Sequence, residues 1–367
     1  MFISSCWTPI RLALLLAPWI VWCAPAAEVA TPACENFFFT VHTTARNDSG
    51  TLIPAMTSKI SAEYCPPTKK VAGRDNTVQL LHHGATFTKY YWSCFGPVGT
   101  GYHEKTYGWI DHFRNEGFHT VAIDRLGAGN STQPNSTYVT ALLEVDVTLA
   151  LVEQLRSGVP LPKKFDRFIL VGHSYASFIL DLLLYKAPKV AEAFILTGYA
   201  HNFTLAADAG KRQDIIPANQ VSPQKFGKLD SGYMTVASAE ACRVAFYGNT
   251  GSFDPAFPRL EFETETAQPE GEQDSTGPIL ATGFATLPAS NFTASLALVI
   301  GAQDNAFCNG NCNSGANHIL SNAKEIYPNV KGLLPMIVPD TGHVLNLHYS
   351  APETYKKISQ WLTTQGI

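Results

Sequence analysis

One serine in this chain stands where a strand gives way to a helix. The apolar run Phe168-Ile169-Leu170-Val171 leads into Gly172-His173-Ser174-Tyr175-Ala176, and a helix-like segment from Tyr175 to Ala187 follows, stopped by Pro188. A serine on so sharp a turn holds its hydroxyl above the carboxyl edge of a sheet. Small residues two places before and after it let strand and helix pass closely. Gly-x-Ser-x-small alone is a weak pattern, and the strand before it and helix after it are the context it requires. A serine hydroxyl is a poor nucleophile until a base takes its proton, so a histidine oriented by a carboxylate must be sought elsewhere. His343, in Pro339-Asp340-Thr341-Gly342-His343, lies just past the last expected strand, and Asp304, in Gly301-Ala302-Gln303-Asp304, just past the one before. The order Ser174, Asp304, His343 is the one used with a serine on such a turn. Asp340 is the rival acid, but it shares a short loop with His343 and its reach to the outer ring nitrogen is strained. Acyl transfer also needs backbone donors for an oxyanion. The amide of Tyr175, directly after the serine, is expected to be one. The amide of Ala85, in the loop His83-Gly84-Ala85-Thr86, is expected to be the other, with Thr86 as the fallback.

Those side chains need a scaffold, and the chain spells one out. Val78 to His82, Phe118 to Ile123, Phe168 to Val171 and Ala193 to Thr197 are short apolar runs. Helix-like segments separate them: Tyr107 to Glu116, Val139 to Ser157 and Tyr175 to Ala187. Strands apolar on both faces and alternating with helices predict a mostly parallel sheet covered on both sides, an α/β fold. Phe37 to Tyr64 is expected to add antiparallel edge strands. The rhythm stops at about residue 201 and resumes near 292. It continues with Leu296 to Ile300, a helix around His318 to Tyr327, Leu334 to Val338, and a last helix over Pro352 to Thr363. An insertion of that length is expected to fold over the carboxyl edge of the sheet as a cap. Its acidic residues Glu261, Glu263, Glu265, Glu270, Glu272 and Asp274 read as a solvated loop.

Taken together, Leu81-His82-His83-Gly84, Asp124-Arg125-Leu126-Gly127-Ala128-Gly129-Asn130-Ser131, Gly172-His173-Ser174-Tyr175-Ala176 and Gly342-His343 resemble the α/β-hydrolase fold superfamily. Within it they look most like secreted fungal members of the group typified by capped esterases, epoxide hydrolases and dehalogenases. The resemblance runs from about Val78 to Trp361, the insertion apart. It implies an eight-stranded, mostly parallel sheet and a Ser174–Asp304–His343 triad. Epoxide hydrolases and dehalogenases of that group use an aspartate nucleophile, and serine at this position points to acyl chemistry. Departures from the pattern are Ala176, the extra His82 and the long aromatic loop after Thr86. The stretch from Asp124 to Ser131 is not a dinucleotide loop, because Thr132 stands where a third glycine belongs.

Composition narrows the partners. Of 367 residues 46% are apolar and 15% charged, with a net charge of -4, which excludes a disordered tail protein and a phosphate-neutralising nucleic-acid binder. Arg11, the run Leu12 to Trp22 and the small residues Ala24 to Ala27 read as a secretory signal peptide over residues 1–26. Residues 27–367 then form one hydrolase domain with the cap at about 201–292. No later stretch is apolar enough to anchor the chain in a membrane. Cys34, Cys65, Cys94, Cys242, Cys308 and Cys312 remain, an even number that suggests three disulfides, Cys308–Cys312 being the easiest pair. A zinc site has no second cysteine pair to support it, and no cofactor is expected. Sequons at Asn47, Asn130, Asn135, Asn202 and Asn291 are compatible with N-glycans. Phe87, Tyr90, Tyr91, Trp92, Phe95, Tyr102, Tyr107 and Trp109 crowd the segment after the oxyanion loop. Some are expected to line an apolar pocket, although each taken singly reads first as packing. The leading reading is a secreted serine hydrolase cleaving carboxylic esters of hydrophobic small molecules through an acyl-enzyme. A lactonase, amidase or acyltransferase with the same triad, or a catalytically silent binding protein, are the alternatives.

Overall fold

The computed structural model describes residues 33–48, 50–201, 214–249, 251–313 and 319–367. The expected signal peptide, Asn202 and His318 lie outside these residues. An apolar run with no polar face is satisfied only between two covering layers, and that is how the strands are used. They are β1 (Glu35–Thr43), β2 (Met56–Cys65), β3 (Thr77–His82), β4 (His119–Ile123), β5 (Arg167–His173), β6 (Ala193–Thr197), β7 (Ser295–Gly301) and β8 (Gly332–Val338). They form one 8-stranded sheet in the order β1-β2-β4-β3-β5-β6-β7-β8. Strand β2 is antiparallel to both its neighbours, and every other pairing is parallel.

The two-residue period of a strand divides the core into two layers. Phe168 and Leu170 of β5 join Phe194 and Leu196 of β6 on one face, where Ile179 and Leu183 of helix α3 (Tyr175–Lys186) and Leu151 of α2 (Ala141–Ser157) cover them. Ile169 and Val171 join Ala193 and Ile195 on the other, under Trp109 of α1 (Trp109–Asn115) and, from the C-terminal helix Ala351–Thr364, Tyr355 and Ile358. Helix α2 starts where the Thr140 hydroxyl caps the Leu143 amide, and ends at Gly158 in the left-handed region, φ 80°. Pro335 is accommodated because β8 is an edge strand.

Several expectations need correction. The helix expected over Tyr107 to Glu116 is broken at Gly108 into Glu104–Tyr107 and Trp109–Asn115. Of the helix expected from His318 to Tyr327, the described part is the single turn Ala323–Ile326. Among the described residues two disulfides form, not the three expected. Cys34 pairs with Cys65, tying the start of β1 to the end of β2, and Cys308 pairs with Cys312. Cys94 and Cys242 are buried thiols in separate surroundings, the first beside Glu104 and the second beside Glu261. Trp92, Tyr91, Tyr107 and Trp109 are packed into the second core layer, so the packing reading holds for them.

Between β6 and β7 the described residues form helices α4 (Ala239–Phe246), α5 (Phe257–Thr264) and α6 (Glu270–Ala281) and a small sheet of Ile215–Pro217, Tyr233–Val236 and Gln268–Pro269. Its acidic run is not a solvated loop. Glu261, Glu265 and Glu272 are buried, whereas Glu263 and Asp274 are exposed. Tyr247 donates to Glu261 at 2.7 Å, and Arg125, far away in sequence, holds Glu272. Burial pushes the Glu265 carboxyl up to about 8, against a hydrogen bond from Thr235 and the nearby Lys225 ammonium. Folded chain therefore holds a proton there that the unfolded chain releases above its ordinary value near 4.5. The stabilising contribution is complete below that value and is lost as pH rises toward 8. Glu265→Gln, which stands in for the protonated acid, is expected to gain in Tm over the native chain at pH 8 relative to pH 5. A Tm difference that stays constant across this range contradicts the buried, protonated carboxyl.

Candidate active site

The turn after β5 is as tight as the sequence implies. Ser174 has φ 55° and ψ -121°, a conformation that non-glycine residues rarely adopt. It is held from both sides: its amide donates to Thr197 O of β6 at 2.8 Å, and its carbonyl accepts from the Ser177 amide at 2.9 Å. Gly172 is required by close approach, since a Cβ there would lie 2.8 Å from the Ser177 nitrogen. Ala176, where the commonest pattern has glycine, is fully buried, so its methyl group is accommodated at this crossing. Gly172→Ala is expected to cost about 1–3 kcal/mol by overpacking, lowering Tm by several degrees. An unchanged Tm would show that strand and helix do not pass so closely.

Three loops at the carboxyl edge bring Ser174, His343 and Asp304 together. His343 Nε2 lies 2.8 Å from Ser174 Oγ, and His343 Nδ1 lies 2.7 Å from Asp304 Oδ2. Asp304 and His343 are buried, while Ser174 is half-buried. The other Asp304 oxygen accepts the Phe307 amide at 2.9 Å, which fixes the carboxylate. The His343 amide donates to Phe246 O at 2.7 Å, and the imidazole stacks near the rings of Phe246 and Phe307, at 5.7 and 5.9 Å. The rival acid Asp340 sits exposed on the turn, φ 48°, and the imidazole faces Asp304 instead.

The loop after β3 meets the same turn. A Cβ on Gly84 would come within 3.0 Å of Ser174 Cβ, so only glycine fits there without displacement. Among the described residues, the amides of Ala85 and Tyr175 donate to no protein acceptor. Thr86, the fallback donor, is a β-branched residue at φ 63°, and its carbonyl accepts the Thr266 amide at 2.8 Å.

Neighbouring histidines stay uncharged. Burial pushes His82 down to about 3 and His83 and His173 well below their ordinary value, with the Arg125 charge adding to the shift at His82 and His83. His83 Nε2 accepts the Arg125 amide at 3.0 Å, so its Nδ1 carries the proton and donates to Gly84 O at 2.7 Å. His173 stacks on Tyr91 at 4.5 Å and lies 5.0 Å from the His343 ring, so His343 has a neutral neighbour there. The Asp124 carboxylate is occupied by Lys89 Nζ at 2.9 Å and the Lys89 amide, from the segment after β3, and by the Asn130 amide of its own turn. Among the described residues, no group of three His, Cys, Asp or Glu side chains could hold a metal ion. Sequence reasoning missed Phe246 and Phe307 beside the imidazole, and the roles of Arg125 and Glu272. Only Phe307, three residues past Asp304, carried a positional hint.

A mostly parallel sheet of this order, with a serine on the turn after β5, defines an α/β hydrolase. The chain matches the alpha/beta hydrolase family over residues 79–357 and belongs to it. Its fold is similar to that of a thermophilic esterase from Thermogutta terrifontis (16% identity, TM-score 0.54, covering 89% of this chain and 99% of that one). It is also similar to that of an epoxide hydrolase from Vigna radiata (14% identity, TM-score 0.53, covering 89% and 98%). At such identities the likeness concerns the fold. No curated protein sequence matches the chain.

Proposed function

We propose that this hydrolase is a secreted serine esterase acting on carboxylic esters of hydrophobic small molecules, with Ser174, His343 and Asp304 as its catalytic residues. The observation that carries the reading is the unbroken hydrogen-bonded line from Asp304 through His343 to a half-buried Ser174. In this mechanism Ser174 Oγ attacks the ester carbonyl carbon while its proton passes to His343 Nε2. The carbonyl oxygen becomes an oxyanion that accepts from the Tyr175 and Ala85 amides. Collapse breaks the ester C–O bond, and the leaving alcohol takes the proton from Nε2, leaving an acyl group on Oγ. Water then gives a proton to Nε2 and attacks the acyl carbon. The second tetrahedral intermediate releases the carboxylic acid, and Oγ regains its proton. Asp304 holds the Nδ1 proton throughout and stabilises the imidazolium.

The apolar rings of Phe246 and Phe307 beside His343, with Phe87 against Phe246 at 6.2 Å, favour an uncharged, hydrophobic substrate. Secretion is supported by the two disulfides, and the asparagines of four sequons, Asn47, Asn130, Asn135 and Asn291, are exposed and open to glycans. Among the described residues, no helix is long and apolar enough to cross a membrane. The inserted segment between β6 and β7 serves as the cap.

A fluorophosphonate probe is expected to label the native protein and not Ser174→Ala. Asp304→Asn is expected to lower turnover of an activated ester by roughly 10³- to 10⁴-fold through the wrong imidazole tautomer. Asp340→Asn should leave it within a few-fold. A folded native protein that takes no label would favour a silent binding protein, and a larger loss at Asp340 would overturn the choice of acid.

A further inference from the structure

Arg125 is buried between two buried carboxylates that come from different parts of the fold. Its Nη1 donates to Glu144 of α2 at 2.6 Å and to Glu272 of α6, in the inserted segment, at 2.7 Å. The same residue grips the loop after β3. Its Nε donates to His83 O at 2.9 Å and its amide to the His83 ring at 3.0 Å, immediately before Gly84 and Ala85. Glu272 reaches the other side of the site: its backbone carbonyl accepts the Tyr175 hydroxyl at 2.7 Å, and the Arg125 guanidinium lies 5.3 Å from the Tyr175 ring. A third tie comes from the same inserted stretch. The Thr266 amide holds Thr86 O at 2.8 Å, and the Thr266 hydroxyl accepts from the Gly129 amide at 3.1 Å. Every one of these bonds ends on a residue next to the Ala85 or Tyr175 amide, or on the turn that carries Arg125.

Stability alone is a poor reason for such an arrangement. Buried ion groups are often replaceable by apolar residues of like volume at no loss of stability. Here one guanidinium faces two carboxylates, and Glu144 Oε2 and Glu272 Oε2 have no hydrogen-bond partner among the described residues. What the cluster supplies is position. We infer that Arg125 and Glu272 are positioning residues through which the seating of the inserted stretch 265–272 sets the oxyanion loop, residues 84–86, against Ser174. This coupling of insertion to loop rests on the ester-cleaving reading for its catalytic consequence, but not for its structural one.

The test uses the full chain, with Glu272→Ala and the conservative Glu272→Gln, which keeps an acceptor for Arg125. Two readouts are taken: the backbone amide NMR resonances of Gly84, Ala85 and Thr86, and kcat and KM on p-nitrophenyl butyrate. In Glu272→Ala the three resonances are expected to shift or broaden, and kcat to fall about 10-fold or more with KM within about three-fold, as for loss of an interaction made in the transition state. Glu272→Gln is expected to return the resonances and most of the rate. Should Glu272→Ala fail to fold, Glu272→Leu fills the same volume without a carboxylate and is read the same way. Unchanged resonances at residues 84–86 overturn the coupling, and so does a loss confined to KM. Resonances that respond as expected in a protein that Ser174-directed probes never label would uphold the coupling and overturn the ester chemistry instead.

Discussion

The site depends on a hydrogen bond between two side chains that water scarcely reaches. Asp304, fully buried, accepts from one ring nitrogen of His343, and this leaves the other nitrogen bare toward Ser174. An isolated buried carboxylate would be costly. Here it is held by the imidazole and by the Phe307 amide, so both its oxygens are engaged. The register of β6, β7 and β8 in the sheet brings the loop ends to one rim. Gly301 of β7 pairs with Val338 of β8, so the loops bearing Asp304 and His343 leave the sheet side by side. Strain at Ser174 persists because β6 and the first turn of α3 over-determine it.

Charge is distributed with the same economy. Several buried ionisable side chains are paired where separate segments must meet: Lys89 with Asp124, Arg125 with Glu144 and Glu272, and His201 with Asp181. In each case removing one partner would leave an uncompensated buried group, which is a larger penalty than the pair's own net contribution. The segment between β6 and β7 is thus attached to the hydrolase core by polar bonds of defined geometry as well as by apolar contact, and two of them, from Glu272 to Arg125 and from the Thr266 amide to Thr86 O, end on or beside the loop after β3.

Much of this was legible in the chain because its signals are local. Phe168 to Val171 and Ala193 to Thr197 have no polar face and must lie between layers. The serine turn is written within five residues, and the loops carrying Asp304 and His343 each follow a recognisable strand. What was not legible depends on partners distant in sequence. Glu261, Glu265 and Glu272 look like a solvated acidic run because Tyr247, Thr235 and Arg125 cannot be assigned to them without the fold. Cysteine parity says nothing of distance, so Cys94 and Cys242 were counted as bridged although they remain thiols. Phe246 stacks on His343 from a helix in the insertion that no pattern near the histidine announces.

The tautomer of one imidazole tests the account most directly. Proton–nitrogen NMR on protein labelled in its histidine rings should show His343 protonated at Nδ1 and bare at Nε2 at neutral pH, with the Nδ1 proton far downfield. Loss of the Asp304 carboxylate should abolish that signal. A His343 that carries its proton on Nε2 in the native chain, with Nδ1 unprotonated, could not take a proton from Ser174 and would contradict the account.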